Sequence, residues 1–81
     1  MKVNRKDIKP YSWGNKCKGW HLVNHPSLSV IQETMPPDSE EKSHRHFKAQ
    51  QFFFILHGEA TFNVNNDTVI LQAGEGTLKK V

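Results

Sequence analysis

Two histidines separated by a single residue, His44 and His46, have the clearest capacity for chemistry in this sequence. On a β-strand, residues two apart point to the same face, with Cα atoms about 7 Å apart. Two imidazoles at that separation can take adjacent positions on one metal ion. Exposed histidine pairs are also common, so the residues around the pair decide what it means.

The residues that follow the pair have a regular spacing. Four residues separate His46 from Gln51, and six separate Gln51 from Gly58. This pattern resembles the first motif of the cupin family, G-x5-H-x-H-x3-4-E-x6-G, with Asp38 at its opening glycine and Gln51 at its glutamate. The likeness to small single-domain bacterial cupins covers residues 12–76 and includes Met35-Pro36-Pro37, Ala49-Gln50-Gln51-Phe52-Phe53 and Cys17-Lys18-Gly19-Trp20-His21-Leu22.

The resemblance implies a mononuclear site for a divalent metal ion, Fe, Mn, Ni or Zn. It assigns His44, His46 and Gln51 as the ligands. A carboxamide in place of the carboxylate keeps an oxygen donor but brings no negative charge, so we expect weaker binding of the metal. The resemblance also implies an apolar pocket beside the metal, although plain core packing explains its residues more readily. Its lining residues would be Phe53, Phe62 and Val64.

The end of the sequence departs from the family pattern. Gly74-Glu75-Gly76 resembles the start of a second cupin motif, which supplies another metal histidine, but Thr77-Leu78-Lys79-Lys80-Val81 follows and ends the sequence. The resemblance therefore implies a cupin barrel that is incomplete at the C-terminus, and without that histidine the metal could be absent. His57 cannot replace it, because six residues of strand place it about 20 Å from Gln51. His21 and His25 fit surface and turn positions better than a metal site.

Short strand patterns recur along the sequence, and helical periodicity is lacking. The run 51–57 is apolar on both faces and predicts a strand covered on both sides, with Phe52, Phe54 and Leu56 under a second sheet or in an interface. Asn65-Asn66-Asp67 predicts a tight turn. Strands at this spacing indicate an antiparallel all-β sandwich or barrel, and the family's version is a cupin-type jelly roll. Strands are predicted at 20–24, 28–35, 44–47, 51–57, 59–65 and 68–72.

Composition limits the remaining classes. The 81 residues predict a single domain, 1–81, with a formal net charge of +3 and no dense basic stripe, so we expect no nucleic-acid partner. No apolar run approaches the roughly 18 residues of a membrane helix, and no secretory signal is present, so we expect no membrane association and a cytoplasmic location. Cys17 is the single cysteine, which excludes a disulfide framework and indicates a buried thiol.

Three functions are compatible with these observations. The first is a metal-binding cupin, with a dioxygenase or isomerase as the enzyme types that the family offers. The second is a non-catalytic module that binds a small molecule such as a sugar or an effector. The third is a truncated cupin without a working site. Because an incomplete barrel exposes strand edges, we also expect a homodimer or higher homo-oligomer, with strand exchange as one way to close the sheet.

Overall fold

The computed structural model describes residues 1–39, 50–64 and 67–79, and of Val64 only the backbone. The strand predicted at 44–47, and with it His44 and His46, lies outside these residues. Contacts between residues divide the chain into two compact units, Met1–Ser43 and His44–Val81. Each unit is described by itself below, and the single domain expected from the sequence stays a prediction.

The described residues form an antiparallel all-β structure, as the sequence predicts. All four strand pairs among them are antiparallel. One short 3-10 helix, Arg5–Asp7, precedes the strands and is capped by the side chain of Asn4, which accepts a hydrogen bond from the Lys6 amide. The strands are β1 (Tyr11–Trp13), β2 (Cys17–His25), β3 (Leu28–Thr34), β4 (Gln51–Phe54), β5 (Glu59–Val64), β6 (Asp67–Gln72) and β7 (Gly76–Lys79).

The first unit is a three-stranded sheet with the order β1-β2-β3. Trp13 pairs with Cys17, which leaves a three-residue loop whose last residue, Lys16, has a φ of 62°. The Cys17 side chain is 1% exposed, so the expected buried thiol is confirmed. Gly19 lies beneath the Tyr11 ring, where an added Cβ would come within 2.4 Å of the ring. A side chain at that position would therefore displace the tyrosine.

The second unit places one hairpin between two strands that pair with each other. β5 and β6 form the hairpin, and Asp67 pairs with Val64, so Asp67 belongs to β6 and not to the turn predicted at 65–67. β4 pairs with β7 across this insertion. The pairing continues beyond β4, because the Ile55 amide donates to the Glu75 carbonyl and the Gly74 amide donates to the Ile55 carbonyl. Both sheets of this unit are therefore antiparallel and two-stranded.

The two faces of the β4–β7 pair differ in burial. Gln51 and Phe53 are half-buried on the face that we call the inner face. On the opposite face Phe52 is 65% exposed and Phe54 51% exposed. Among the described residues no second sheet covers this outer face, and its burial in an interface, the other predicted alternative, stays a prediction. Three consecutive phenylalanines do not alternate in polarity, so the sequence pattern has no means of showing which face stays uncovered.

The apolar core of the described residues is small. Apart from Cys17, the hydrophobic side chain that is buried is Leu71, which is 6% exposed on the inner side of the hairpin. A small core is typical of short chains, which bury a smaller fraction of their surface than larger domains do. None of the described segments is a helix with the length and apolar character needed to cross a membrane.

Candidate functional site

Gln51 is the first residue of β4 and the one predicted metal ligand within the described residues. Its side chain is half-buried on the inner face. Its carboxamide has no hydrogen-bond partner among the described residues. Residues 1–39, 50–64 and 67–79 contain no group of three His, Cys, Asp or Glu that could hold a metal, but this part of the chain includes neither His44 nor His46.

The residue opposite Gln51 across the ladder is Lys79 of β7. Directly opposed residues in an antiparallel pair point to the same face, with Cβ atoms about 4.5–5.5 Å apart. Lys79 is half-buried, in agreement with an inner position. No strand is predicted after Gly76, so the sequence alone does not point to Lys79. Thr77 and Lys79 are two residues apart, which indicates that they share a face of a strand. This spacing does not show which residues pair with them.

Phe53 and Phe62, two of the predicted pocket residues, are in contact. Their ring centroids are 5.1 Å apart and their planes are tilted by 37°. Both side chains are half-buried, and the contact joins the inner face of β4 to that of β5. The third predicted residue, Val64, pairs through its backbone with Asp67, and its side chain lies outside the described residues. The inner face thus has a polar end at Gln51 and Lys79 and an aromatic wall beside it.

The two positions where the motif has glycine have left-handed backbone. Gly58 has a φ of 83°, which explains the closing glycine of the motif. Asp38 stands at the opening glycine and has a φ of 64°. It is the third residue of a turn in which the Ser39 amide donates to the Pro36 carbonyl over 3.3 Å. Positive φ at the third residue is typical of type II turns, and aspartate tolerates it better than most residues.

The histidines within the described residues have other surroundings. His25 Nδ1 accepts a hydrogen bond from the Ser27 amide over 3.1 Å and lies 2.8 Å from Ser27 Oγ, so it orders the β2–β3 turn. His21 stacks on Tyr11 with ring centroids 4.8 Å apart. His57 is exposed in the bend after β4. His25 thus borders a turn and His21 is exposed, in agreement with the turn and surface positions expected for them.

The predicted donors suit a divalent metal of intermediate softness. Two imidazoles and an amide oxygen are ordinary ligands for Fe, Mn, Ni and Zn, and the carboxamide of Gln51 has no competing partner among the described residues. The set carries no negative charge, however, and Lys79 adds a positive charge on the same face. The residues therefore fit a metal, and we expect its affinity to be lower than with glutamate at position 51.

The comparisons with known proteins address the family. A family model described as a cupin domain matches residues 31–78, which is more than half of the chain. The match begins in β3 and ends in β7, so it includes the His-x-His pair, Gln51 and the two motif positions Asp38 and Gly58. Among curated proteins no match is found, and among solved structures there is none either. The antiparallel all-β structure and the family match together show that this chain belongs to the cupin family.

Proposed function

We propose that this cupin domain binds one divalent metal ion through His44, His46 and Gln51. The observation that carries the proposal is the environment of Gln51, a half-buried carboxamide without a hydrogen-bond partner among the described residues. Without a protein partner among the described residues, the amide oxygen is available to coordinate a metal ion. When bound, such a metal would supply a Lewis acid with coordination positions open to a small molecule.

The described residues would form the wall of a small-molecule pocket beside the metal. Phe53 and Phe62 are in van der Waals range of each other and cover one end of the inner face. They would exclude water and hold an apolar part of the ligand. Among the described residues of β4 and β7, this face carries Thr77 and Lys79 but no carboxylate or imidazole. A dioxygenase or isomerase reaction would therefore depend on groups beyond these two strands.

The second candidate is a module that binds a small molecule without catalysing a reaction. The neutral donor set and the nearby lysine favour it, because both reduce the affinity for a cation while leaving the aromatic wall intact. A domain without a working site is the third possibility. Metal content and ligand binding, measured separately, distinguish the three.

The test is the metal stoichiometry of chelator-treated protein titrated with Zn, Mn, Ni or Fe(II). We expect one metal ion per chain in the wild type and none in a His44→Ala, His46→Ala double variant. A Gln51→Glu variant should bind at least about tenfold more tightly, because it adds a negative charge to the ligand set. His57→Ala is the matched control and should keep its metal. A wild-type protein that binds no metal, or a double variant that still binds it, would contradict the proposal.

We also propose that the domain self-associates through the outer face of β4 and β7. The exposed apolar residues of this face and the following bend are Phe52, Phe54, Leu56 and Leu78, which are 65%, 51%, 68% and 44% exposed. The rings of Phe52 and Phe54 are 6.3 Å apart and form a continuous surface. The residues of β4 and β7 on this face carry no charge, so the face of a second copy can pack on it about a two-fold axis.

A further inference from the structure

We infer that the inner face of β4 and β7 takes a small carboxylate with an apolar body, and that Lys79 recognises its charge. The inference rests on the proposed small-molecule pocket beside Gln51, and it names the chemical class of the ligand. It does not require that the metal be present.

The first step is the position of Lys79. The register of β4 and β7 sets Lys79 opposite Gln51 and Thr77 opposite Phe53. Along β7 the residues alternate between exposed and half-buried, and Lys79 is among the half-buried ones. The alkyl stem of a half-buried lysine can lie along an apolar face while its ammonium group stays accessible to an anion, which it binds through charge-assisted hydrogen bonds.

The charge of Lys79 has no internal partner among the described residues. In the part of the chain that the structure describes, Lys79 forms no ion pair. In the hairpin of β5 and β6, the residues that alternation places on the inner face are apolar, except for the first residue of β6. That exception is Asp67, which shares the alternation of Val69 and Leu71 but is exposed and forms no ion pair with Lys79. The remaining acids of this unit's described residues, Glu59 and Glu75, are exposed.

The third step is the distance between the charge and the aromatic wall. Phe53 follows Gln51 by two residues on the same face, so their Cα atoms are about 7 Å apart. The Phe53 ring contacts the Phe62 ring, and the two ring centroids are 5.1 Å apart. A molecule with a carboxylate at one end and a ring-sized apolar group at the other spans this distance. The neutral carboxamide of Gln51 can donate a hydrogen bond to the same carboxylate.

The test uses phenylacetate as the probe and 2-phenylacetamide as its neutral analogue. Binding to the metal-free and metal-treated full chain is followed by amide chemical shifts in two-dimensional NMR spectra. We expect phenylacetate to bind at least about tenfold more tightly than the amide, with shifts centred on Gln51, Phe53 and Lys79. Lys79→Met keeps the apolar stem and should remove this preference, whereas Lys79→Arg should retain it. Lys18→Met, an exposed position on β2, is the matched control and should bind like the wild type.

Three results would overturn the inference. They are equal affinity for the two probes, no detectable binding of either, and a preference that survives Lys79→Met in a variant whose circular dichroism spectrum is unchanged. Asp67→Asn should leave the affinity for phenylacetate as it is, and a tenfold increase would show that Asp67 is the partner of Lys79. The metal proposal and the carboxylate inference are tested by separate measurements. A Lys79-dependent preference in a chain that binds no metal supports the inference alone, and metal binding without the preference supports the metal site alone.

Discussion

Replacement of Gly76 by alanine tests the strand pairing that brings Lys79 to Gln51. Gly76 pairs with Phe54 at the start of β7. An added Cβ would lie 2.6 Å from the Phe52 ring and 2.7 Å from the Phe53 carbonyl oxygen. The ring can rotate away, but the carbonyl belongs to the backbone of β4. The two strands would therefore have to separate locally.

Two opposing contributions determine how Gly76→Ala changes the free energy of unfolding. Gly76 is not among the glycines with positive φ. Without a clash, alanine would therefore raise the free energy of unfolding by about 0.4–1 kcal/mol through the unfolded state. Forcing an extra methyl group into a closely packed position costs about 1–3 kcal/mol. Since the obstacle is partly backbone, we expect the cost to dominate, with a net loss of about 1–2 kcal/mol.

Urea unfolding followed by circular dichroism measures this change. In the Gly76→Ala background, a second change of Phe52→Ala should recover part of the loss, because it removes the ring but not the carbonyl. Gly58→Ala is the matched control. An added Cβ at Gly58 would meet nothing within 4 Å. In the Gly58→Ala background, Phe52→Ala should therefore recover no stability. A Gly76→Ala variant as stable as the wild type would refute the pairing of β4 with β7 and, with it, the placement of Lys79 opposite Gln51.

Two further predictions concern a turn and the outer face. Asp38→Gly should stabilise the protein by about 0.5–1 kcal/mol in urea unfolding, because glycine adopts positive φ without strain; a loss of stability would contradict the turn geometry. Wild-type protein should elute as a dimer or larger assembly in size-exclusion chromatography with light scattering, and Phe52→Ser with Phe54→Ser should shift it toward monomer. Thr61→Ser, on an exposed position of β5, is the control for that shift. A folded wild-type monomer at micromolar concentration would refute self-association.

Strands with clear alternation and turn residues could be predicted from the sequence. The predictions at 28–35, 59–65 and 68–72 agree closely with β3, β5 and β6, because apolar and polar residues alternate or turn residues mark the ends. β1 and β7 are not predicted. They have three and four residues, respectively, and too short a pattern to show a period. Such strands are defined by their pairing with a distant strand and not by their own composition.

The candidate site shows the same division between local and long-range information. Spacing alone relates His44, His46, Gln51 and Gly58 to one motif, and alternation places Phe53 on the face of Gln51. The register of β7 against β4 depends on the folded chain, so Lys79 could not be assigned from the sequence. The family resemblance assigns Phe53 and Phe62 to one pocket wall, and the structure adds that their ring centroids are 5.1 Å apart.

The most direct test of the proposed metal site is paramagnetic broadening by Mn(II) in two-dimensional NMR spectra. At substoichiometric Mn(II), the amide signals of His44, His46 and Gln51 should broaden first, together with that of Lys79 opposite Gln51. The same signals should stay sharp in the His44→Ala, His46→Ala double variant. Broadening centred on His25 or His57, or broadening around Gln51 that persists in the double variant, would contradict the metal site proposed for this cupin domain.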